Sequence, residues 1–544
     1  MAHVRPASRR WCVSSGAGSA LDRPPRPDGL TTSVSPMWLE RFVRRDEQNE
    51  AWRWVSTVLG AVPFLLLAAW HWPHGPRADF GDYAQYLLHA EALLKGRAYT
   101  DIGYIYTNRA PFIGPPAQPP GLPAALVPLL ALTSAARESA LYKGFMILGV
   151  LGFLGASGAY LARFGSKRLV IATLFVVGLW IETGYATTAL QPDVIFAALV
   201  WLTFLVADRP DEWTWRRVLP ISALGLTALA FRLAALPLLP AVALYALIHR
   251  RRVGPLALAP TFIWCLCGTV AVVFSPDATT YARFLPRDPM RLVALIADNA
   301  RLYPFLVLNL FLYPLPWYWW GNDVYHVLIC GFAVVGVIRW LPRLRNSFLV
   351  VFAVVYLGML FVLPIRHERY LMPLAPMAVF FAMAGLATFA QWLGRLTRRE
   401  PTNAAATGTA LAVAGLIVTV TLVHEFAAPR PPALLDAPGA NEVFQRLAAA
   451  RDSGTVRAVF INPRVLTWYT GVPAMGFFAA PADSTIDEFR SQRITHVVLG
   501  DFDLDPWRSR SMASAVAAHA RAFRVLYQTG VFTVYAFDST QALP

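Results

Sequence analysis

Charged residues are scarce in this chain of 544 residues. They make up only 15% of it, whereas 56% of the residues are hydrophobic and the mean hydropathy is +0.45. A soluble globular protein is nearer 25% charged. Apolar runs long enough to cross a bilayer recur along most of the length, so the composition predicts a polytopic helical membrane protein and excludes a soluble one.

Cysteine is nearly absent as well. Three of the 4 cysteines, Cys265, Cys267 and Cys330, lie in or beside apolar segments, and residues 430–544 contain none. This distribution implies neither a disulfide framework nor a cysteine zinc site. Residues 1–53 contain nine arginines but lack the apolar core of a signal peptide. We expect them to form a disordered, basic, cytoplasmic N-terminal extension.

The formal net charge of +15 has a topological explanation. In a soluble protein it would suggest nucleic acid, but here Lys and Arg gather in short loops between apolar segments, as the positive-inside rule expects. We therefore expect the bilayer as a partner and no nucleic acid. The charge rule also places the N-terminus in the cytoplasm and residues 73–118, 366–369 and 425–544 on the outer side.

Residues 54–424 are predicted to form a catalytic module of about 11 to 13 transmembrane helices. The predicted spans are 54–72, 119–133, 141–162, 168–186, 193–207, 218–231, 233–248, 256–274, 324–341, 348–365, 370–392 and 407–424. The basic loop at 163–168 is cytoplasmic only if an odd number of crossings separates it from Asp82. Either the segment 119–132 is short or re-entrant, or this loop breaks the charge rule.

Residues 425–544 are predicted to form a soluble, extracytoplasmic α/β domain. Alternating patterns predict strands at 456–461, 494–499, 523–528 and 532–537, and helices at 441–450 and 507–521. The region lacks a phosphate-binding glycine loop and a nucleophile motif. The chain also lacks internal repeats, which disfavours a transporter built from duplicated halves.

The stretch FGDYAQYLLHAEALLKG, residues 80–96, opens the first outer loop (73–118). Asp82, Gln85, Tyr86 and His89 fall on one face of a predicted amphipathic helix that lies along the membrane surface. Asp82 and Gln85 also have the spacing of a capping box, so Asp82 is either a helix cap or a catalyst. The proline-rich run PPAQPPGLPAALVPLL that follows predicts a helix that begins after the last of its adjacent prolines.

Further ionisable residues stand at the edges of apolar segments. Asp193 begins an apolar helix, where it is a helix cap or part of a site. Arg232 interrupts an apolar run, so it is functional or extends to the interface. Arg366, His367 and Arg369 lie in an outer loop where basic residues are disfavoured, which points to an anionic ligand such as a lipid-linked phosphate. The alternative there is a salt bridge with Glu368.

In their order and spacing these segments resemble a known family. The resemblance rests on GDYAQYLLHAEALLKGRAYTD followed by QPPG, QPD at the start of a span, FRLAALPLLP, RHERYLMPLAP and NPRVLTWYTG. They resemble the polyprenol-phosphate-sugar-dependent glycosyltransferases of the GT-C fold (family 39-like), which include protein O-mannosyltransferases and the aminoarabinose transferases of lipid A. The resemblance covers residues 54–544. Many members have two adjacent acidic residues in the first outer loop, whereas here Tyr83 follows Asp82.

The resemblance implies an inverting transfer of a sugar from a polyprenyl-phosphate donor to a hydroxyl group, at the outer face of a bacterial plasma membrane. It implies Asp82 as the base, and we choose Asp193 as its acidic partner. The donor phosphate is then met by Arg369, Arg366 and Arg232. The residues expected to contact the sugar or the acceptor are Gln85, Tyr86, His89, His367 and Tyr370.

The sequence leaves cofactor, acceptor and some rival functions open. No cofactor is assigned, but Asp82 and Asp193 are hard oxygen ligands that suit Mg²⁺ or Mn²⁺. The acceptor is a lipid, a protein or a glycan. The rival functions are a polysaccharide polymerase or ligase with a lipid-diphosphate donor, a transporter or flippase, and a receptor-like scaffold.

Overall fold

The computed structural model describes most of the chain. The described residues are 50–73, 81–107, 109, 114–133, 140–208, 213–249, 254–273, 285–308, 321–364, 366–397, 402–427, 434–500 and 506–541. They belong to one compact unit, residues 49–544. Residues 1–49 of the predicted N-terminal extension lie outside the described residues.

Helices dominate the described residues up to position 427. They are α1 Glu50–His71, α2 Gly81–Leu94, α3 Gly121–Leu132, α4 Ala140–Leu161, α5 Lys167–Gly178, α6 Ile181–Tyr185, α7 Pro192–Ala207, α8 Trp215–Phe231, α9 Leu238–Ile248, α10 Pro255–Val273, α11 Pro289–Leu308, α12 Gly321–Leu344, α13 Phe348–Val362, α14 Ala375–Leu396 and α15 Asn403–Ala427. Local sequence explains several of their starts. The Ser166 and Ser347 hydroxyls accept hydrogen bonds from backbone N–H groups of the first turns of α5 and α13, and Pro192 opens α7.

Ten of these segments are apolar enough to lie in a membrane. Among the described residues, five helices have the length and composition of a full span: α1, α4, α12, α14 and α15. Five shorter apolar segments occur at Gly121–Leu132, Pro192–Ala207, Leu233–Ile248, Leu258–Val270 and Phe348–Val362. The predicted polytopic helical membrane fold is confirmed. The predicted number of 11 to 13 spans stays a prediction.

Some segments depart from the predicted spans. The span expected at 168–186 is broken, because α5 ends at Gly178 and the polar segment Ile181–Tyr185 forms a separate short helix. The segment 119–133 yields only the 12-residue helix α3, which is about 18 Å long and too short for a bilayer core of about 30 Å. If α3 does not cross the bilayer, one crossing separates Asp82 from the basic loop at 163–168, which is the odd number that the charge rule requires. Helix α11 lies between the predicted spans 256–274 and 324–341, where no span was predicted.

Helices α12 and α14 cross in close backbone contact. A Cβ atom added at Gly336 would lie 1.9 Å from the carbonyl oxygen of Phe381, and one at Gly385 would lie 1.7 Å from that of Phe332. Lipid supplies no hydrophobic force between helices, so close packing through small residues is a main source of their association.

We expect Gly336→Val to destabilise the protein by about 1–3 kcal/mol or more, because the added methyl groups force the two backbones apart. A lower melting temperature of the purified protein in detergent would show it. Gly331→Val is the matched control: Gly331 lies on the same helix, and an added Cβ meets nothing within 4 Å. Equal melting temperatures for the two variants would contradict the expectation.

The C-terminal region contains four helices and five strands among the described residues. They are α16 Ala440–Ser453, β2 Ala458–Phe460, α17 Pro463–Thr470, β3 Ala474–Gly476, α18 Ala482–Ser491, β4 His496–Gly500, α19 Pro506–Ala518, β5 Phe523–Thr529 and β6 Phe532–Phe537. The four predicted strands correspond to β2, β4, β5 and β6, and the two predicted helices to α16 and α19. Three elements were not predicted: α17, β3 and α18.

The sheet has a sixth strand that comes from the first loop. Its order is β1-β3-β2-β4-β6-β5, where β1 is Tyr104–Ile105. Strands β1, β3, β2 and β4 pair in parallel, and β6 pairs antiparallel with both β4 and β5. Tyr104 is in register with Ala474, and the Ala474 N–H donates to the Gly103 carbonyl. The first loop and the C-terminal region therefore share one sheet.

Helix α2 is enclosed rather than lying on a surface. It packs against α3 on one side and α17 on another. Gln85, Tyr86 and His89, expected on an open polar face, are buried. The expectation of a surface-lying amphipathic helix is wrong because the C-terminal region covers its polar face.

Candidate active site

Asp82 lies in the first turn of α2 between two arginines. Its Oδ1 is 2.8 Å from an Nη atom of Arg464, and its Oδ2 is 3.3 Å from an Nη atom of Arg369. The Asp82 side chain remains 38% exposed. Burial raises the pKa of Asp82, but the guanidinium charges of Arg464 and Arg369 outweigh that effect and lower the pKa to about 2. The carboxylate is therefore ionised at neutral pH.

A second acid–arginine pair is buried close by. Asp193, in the first turn of α7, has Oδ1 2.7 Å from an Nη atom of Arg232. Arg232 has an extended backbone at the end of α8, where a 3₁₀ turn follows. Helix α3 lies against this point: a Cβ at Gly121 would be 2.6 Å from the Ala230 carbonyl. The QPPG segment thus has a packing role.

Tyr370 links the two pairs. The guanidinium carbons of Arg232 and Arg369 each lie 5.7 Å from the centre of its ring. Burial and the charge of Arg232 lower the pKa of Arg369, but the carboxylates of Asp193 and Asp82 outweigh them and raise the pKa above its usual value. The structure therefore brings together Asp82, Asp193, Arg232, Arg369 and Tyr370, five residues that the sequence had nominated.

Glu182 is part of the same region and was not nominated. Its side chain is 3% exposed, and Oε1 lies 3.5 Å from His367 Nδ1. Burial and the charge of Asp193 raise the pKa of Glu182 to about 8, while Arg369 opposes the shift. Burial and the charge of Arg369 lower the pKa of His367 to about 4, so this pair is largely uncharged at neutral pH. An acidic residue within the apolar stretch 168–186 is costly, so the sequence alone already indicated a functional role for Glu182.

Several buried oxygen atoms near Glu182 lack hydrogen-bond partners. The buried side-chain oxygens of the described residues that have no hydrogen-bond partner include Glu182 Oε2, Gln191 Oε1 and Asp193 Oδ2. The Gln191 side chain also hydrogen-bonds to Glu182. Buried polar atoms left without partners are costly, so these three side chains retain hydrogen-bonding capacity for a polar ligand.

Two nominated residues of α2, Gln85 and His89, have internal hydrogen-bond partners, and a third, Tyr86, is buried. Gln85 Oε1 accepts from Arg464 at 2.6 Å, and Gln85 Nε2 is 3.4 Å from His89 Nε2. His89 Nδ1 lies 2.8 Å from the Tyr99 carbonyl, so it donates there, and the two rings stack. Burial raises the pKa of the Tyr86 hydroxyl above its usual range. Gln85 and His89 support the helix and Arg464 rather than line an open pocket.

Arg366 lies apart from Arg369 despite their closeness in sequence. Its Nε donates to Asn299 Oδ1 at 2.6 Å, and an Nη atom is 3.7 Å from Asp298. The Asn299 amide in turn donates to backbone carbonyls at the end of α13. The Arg366 guanidinium is therefore engaged by α11.

The donor set does not fit a divalent cation. Among the described residues, no group of three or more His, Cys, Asp or Glu side chains could hold a metal ion. Both Asp82 oxygens face guanidinium groups, and so does one Asp193 oxygen. Positive charge at these positions disfavours Mg²⁺ or Mn²⁺, so we derive no step through a metal.

The helices and the C-terminal sheet together define the fold of the protein. It has the GT-C fold, an architecture of polytopic membrane proteins, as the sequence predicted. No protein-family model matches the chain, and no curated protein matches it.

Three solved structures are similar to it in fold. ArnT from Cupriavidus metallidurans, solved with undecaprenyl phosphate, has a TM-score of 0.50 and 16% identity, over 94% of this chain and 100% of that chain. The archaeal oligosaccharyltransferase AglB from Archaeoglobus fulgidus, solved with an inhibitory peptide and a dolichol-phosphate, has a TM-score of 0.50 and 12% identity, over 93% of this chain and 75% of that one. An oligosaccharyltransferase from the same organism, solved in the apo form, has a TM-score of 0.50 and 12% identity, over 83% of this chain and 70% of that one.

Proposed function

We propose that this protein is a membrane glycosyltransferase that moves a sugar from a polyprenyl-phosphate donor to a hydroxyl group by an inverting single displacement. The cluster of Asp82, Arg369, Asp193 and Arg232 around Tyr370 carries this proposal. In this cluster an ionised carboxylate lies beside guanidinium groups. The polyprenyl phosphates in two of the similar structures support the class of donor.

In the proposed reaction the acceptor hydroxyl oxygen attacks the sugar C1. The bond from C1 to the phosphate oxygen breaks, and its electron pair leaves with the polyprenyl phosphate. Asp82 takes the proton of the attacking hydroxyl. Two arginines make Asp82 a weak base in the free protein, but a phosphate bound to Arg369 offsets one positive charge and raises the basicity of the carboxylate. Binding of the donor thus makes Asp82 a stronger base.

Arg369 and Arg232 are the proposed cations for the departing phosphate. Both are largely buried, and they flank one ring. The guanidinium fork can donate two parallel hydrogen bonds to phosphate oxygens, and a buried cation stabilises developing negative charge most strongly. We assign Arg366 no phosphate contact because Asn299 and Asp298 engage it.

The sugar is proposed to bind beside Glu182, Gln191 and Asp193. Sugar hydroxyls are donors, and they complement the buried oxygens of Glu182, Gln191 and Asp193. His367, which is 3.5 Å from Glu182, and Tyr370, whose ring lies beside Arg232, stay proposed sugar or acceptor contacts.

Glu182 gives the protein a pH-dependent stability. Because its folded pKa is raised to about 8 from an unfolded value of 4.5, only the unfolded chain releases this proton between those values. The contribution of Glu182 to stability is full below the unfolded pKa and is lost as pH rises through the folded pKa. We expect Glu182→Gln to raise the melting temperature relative to the unsubstituted protein at about pH 9 and to change it little at about pH 4.

The control for this titration is Glu91→Gln, because Glu91 forms an exposed pair with Lys95 on α2. Melting temperatures across the pH range should show no comparable gain for it. A Glu182→Gln curve that runs parallel to that of the unsubstituted protein would contradict a raised pKa at Glu182.

The function is tested with purified protein in nanodiscs. It is incubated with radiolabelled polyprenyl phosphate sugars or with the corresponding diphosphate sugars, and with lipid, protein and glycan fractions as acceptors. We expect transfer from a monophosphate donor with inversion at C1. Transfer from diphosphate donors alone would favour a polymerase or ligase, and solute movement without transfer would favour a transporter.

The proposal includes the arrangement in the membrane. We place the module 54–424 in a bacterial plasma membrane, with the N-terminus in the cytoplasm and residues 425–544 on the other side as an α/β domain. Cysteine labelling of the exposed loops in intact cells tests this orientation.

A further inference from the structure

The C-terminal region contributes a cation to the Asp82 cluster. Arg464, the second residue of α17, is only 6% exposed at its side chain and lies 2.8 Å from Asp82 Oδ1. The same Nη atom donates to Gln85 Oε1 at 2.6 Å. Arg464 therefore contacts two residues one turn apart on α2.

The position of Arg464 is fixed from both sides. Helix α17 lies between β2 and β3, and it begins with Pro463 and ends at Gly471, which has the left-handed conformation of a helix end. On the other side, the Arg464 guanidinium stacks 5.9 Å above the ring of Tyr104, which belongs to β1. A side chain held this way has little freedom to follow a substrate.

Arg369 has a different setting. It lies in the 3₁₀ segment Glu368–Leu371, and its side chain is 22% exposed. Its charge interacts electrostatically with the carboxyl groups of Asp82, Asp193 and Glu182. The corresponding exposure of the Arg464 side chain is only 6%. Arg369 is therefore the more accessible of the two guanidinium groups for a ligand.

We propose that Arg464 is a positioning residue, which holds the Asp82 carboxylate in place while Arg369 serves the donor phosphate. This inference rests on the proposed function. Arg464 then acts on the base, and Arg369 acts on the leaving group. When Arg369 engages the phosphate, Asp82 keeps one charge-assisted hydrogen bond, and its oxygen stays aimed at the acceptor hydroxyl.

The pH behaviour of Asp82 separates the two roles. The charged groups that act on it are Arg464 on α17, Arg369 in the 3₁₀ segment and Arg232 at the end of α8. Removal of Arg464 takes away the largest attraction, so the acid side of the activity profile moves to higher pH. Arg464→Lys retains the charge and should restore the acid side of the profile, although it loses the planar fork.

The test compares Arg464→Met with Arg446→Met. Arg446 is an exposed arginine of α16 that pairs with Glu442. We expect Arg464→Met to lower kcat about 10- to 100-fold and to leave undecaprenyl phosphate binding within about threefold of the unsubstituted protein. Arg446→Met should behave as the unsubstituted protein in both assays. Native kcat in Arg464→Met, or a loss of undecaprenyl phosphate binding as large as in Arg369→Met, would overturn the proposal.

A second measurement is independent of transfer. Infrared difference spectra against Asp82→Asn follow the Asp82 carboxylate band during an acid titration. The band should disappear at higher pH in Arg464→Met than in Arg446→Met, provided both variants keep their melting transition. Equal titrations would refute the role of Arg464 even if the protein transfers no sugar. A shifted titration without any transfer would refute only the proposed function.

Discussion

Asp82→Asn is expected to lower sugar transfer by about 10²- to 10⁴-fold, the range that a general base contributes. Asparagine retains the shape of the side chain and can still accept a hydrogen bond from Arg464, but it cannot take a proton. The binding of undecaprenyl phosphate should be retained or strengthened, because the carboxylate no longer competes with the phosphate for Arg369. Single-turnover transfer and equilibrium binding measure the two effects separately.

Asp101→Asn is the matched control for this substitution. Asp101 lies in the same loop, is exposed, and follows a turn after α2. The Asp101→Asn variant should transfer sugar at the rate of the unsubstituted protein. A folded Asp82→Asn protein that also does so would show that Asp82 is only a residue of the helix start.

Arg369→Met is expected to weaken undecaprenyl phosphate binding and to lower kcat/KM by about 10²- to 10³-fold, the cost of removing one donor to a developing anion. Methionine retains much of the apolar stem, so the change removes the charge and the fork. Arg369→Lys should recover part of the loss because charge returns without the two parallel hydrogen bonds.

Undecaprenol provides the ligand control for Arg369. It has the same isoprenoid chain without a phosphate, so Arg369→Met should bind it as the unsubstituted protein does. An equal loss for undecaprenol and undecaprenyl phosphate would assign Arg369 to the apolar groove or to the fold. Native transfer by a well-folded Arg369→Met protein would remove it from the phosphate site.

Sequence reasoning located much of the candidate site because its signals were local. Asp82, Asp193, Arg232 and Arg369 each interrupt or border an apolar segment, where a charge is costly enough to require a reason. Glu182 carried the same signal but lay inside a run that was interpreted as one span. Only the break after Gly178 places it in a connecting segment.

Arg464 could not be predicted because its contacts are not local. It lies 382 positions after Asp82 along the chain. The strand that brings the two regions together, Tyr104–Ile105, has two residues and no periodicity to detect. The same long-range contacts explain why α2, amphipathic by its sequence, is enclosed.

The shared sheet also dictates when the site can exist during synthesis. At about 5–20 residues per second, roughly 20 to 80 seconds separate the emergence of Asp82 from that of Arg464, 382 residues later. Throughout this interval β1 lacks its neighbour β3, and Asp82 lacks one of its two cations. A ribosome that stops before residue 464 therefore leaves a membrane-inserted but incomplete product.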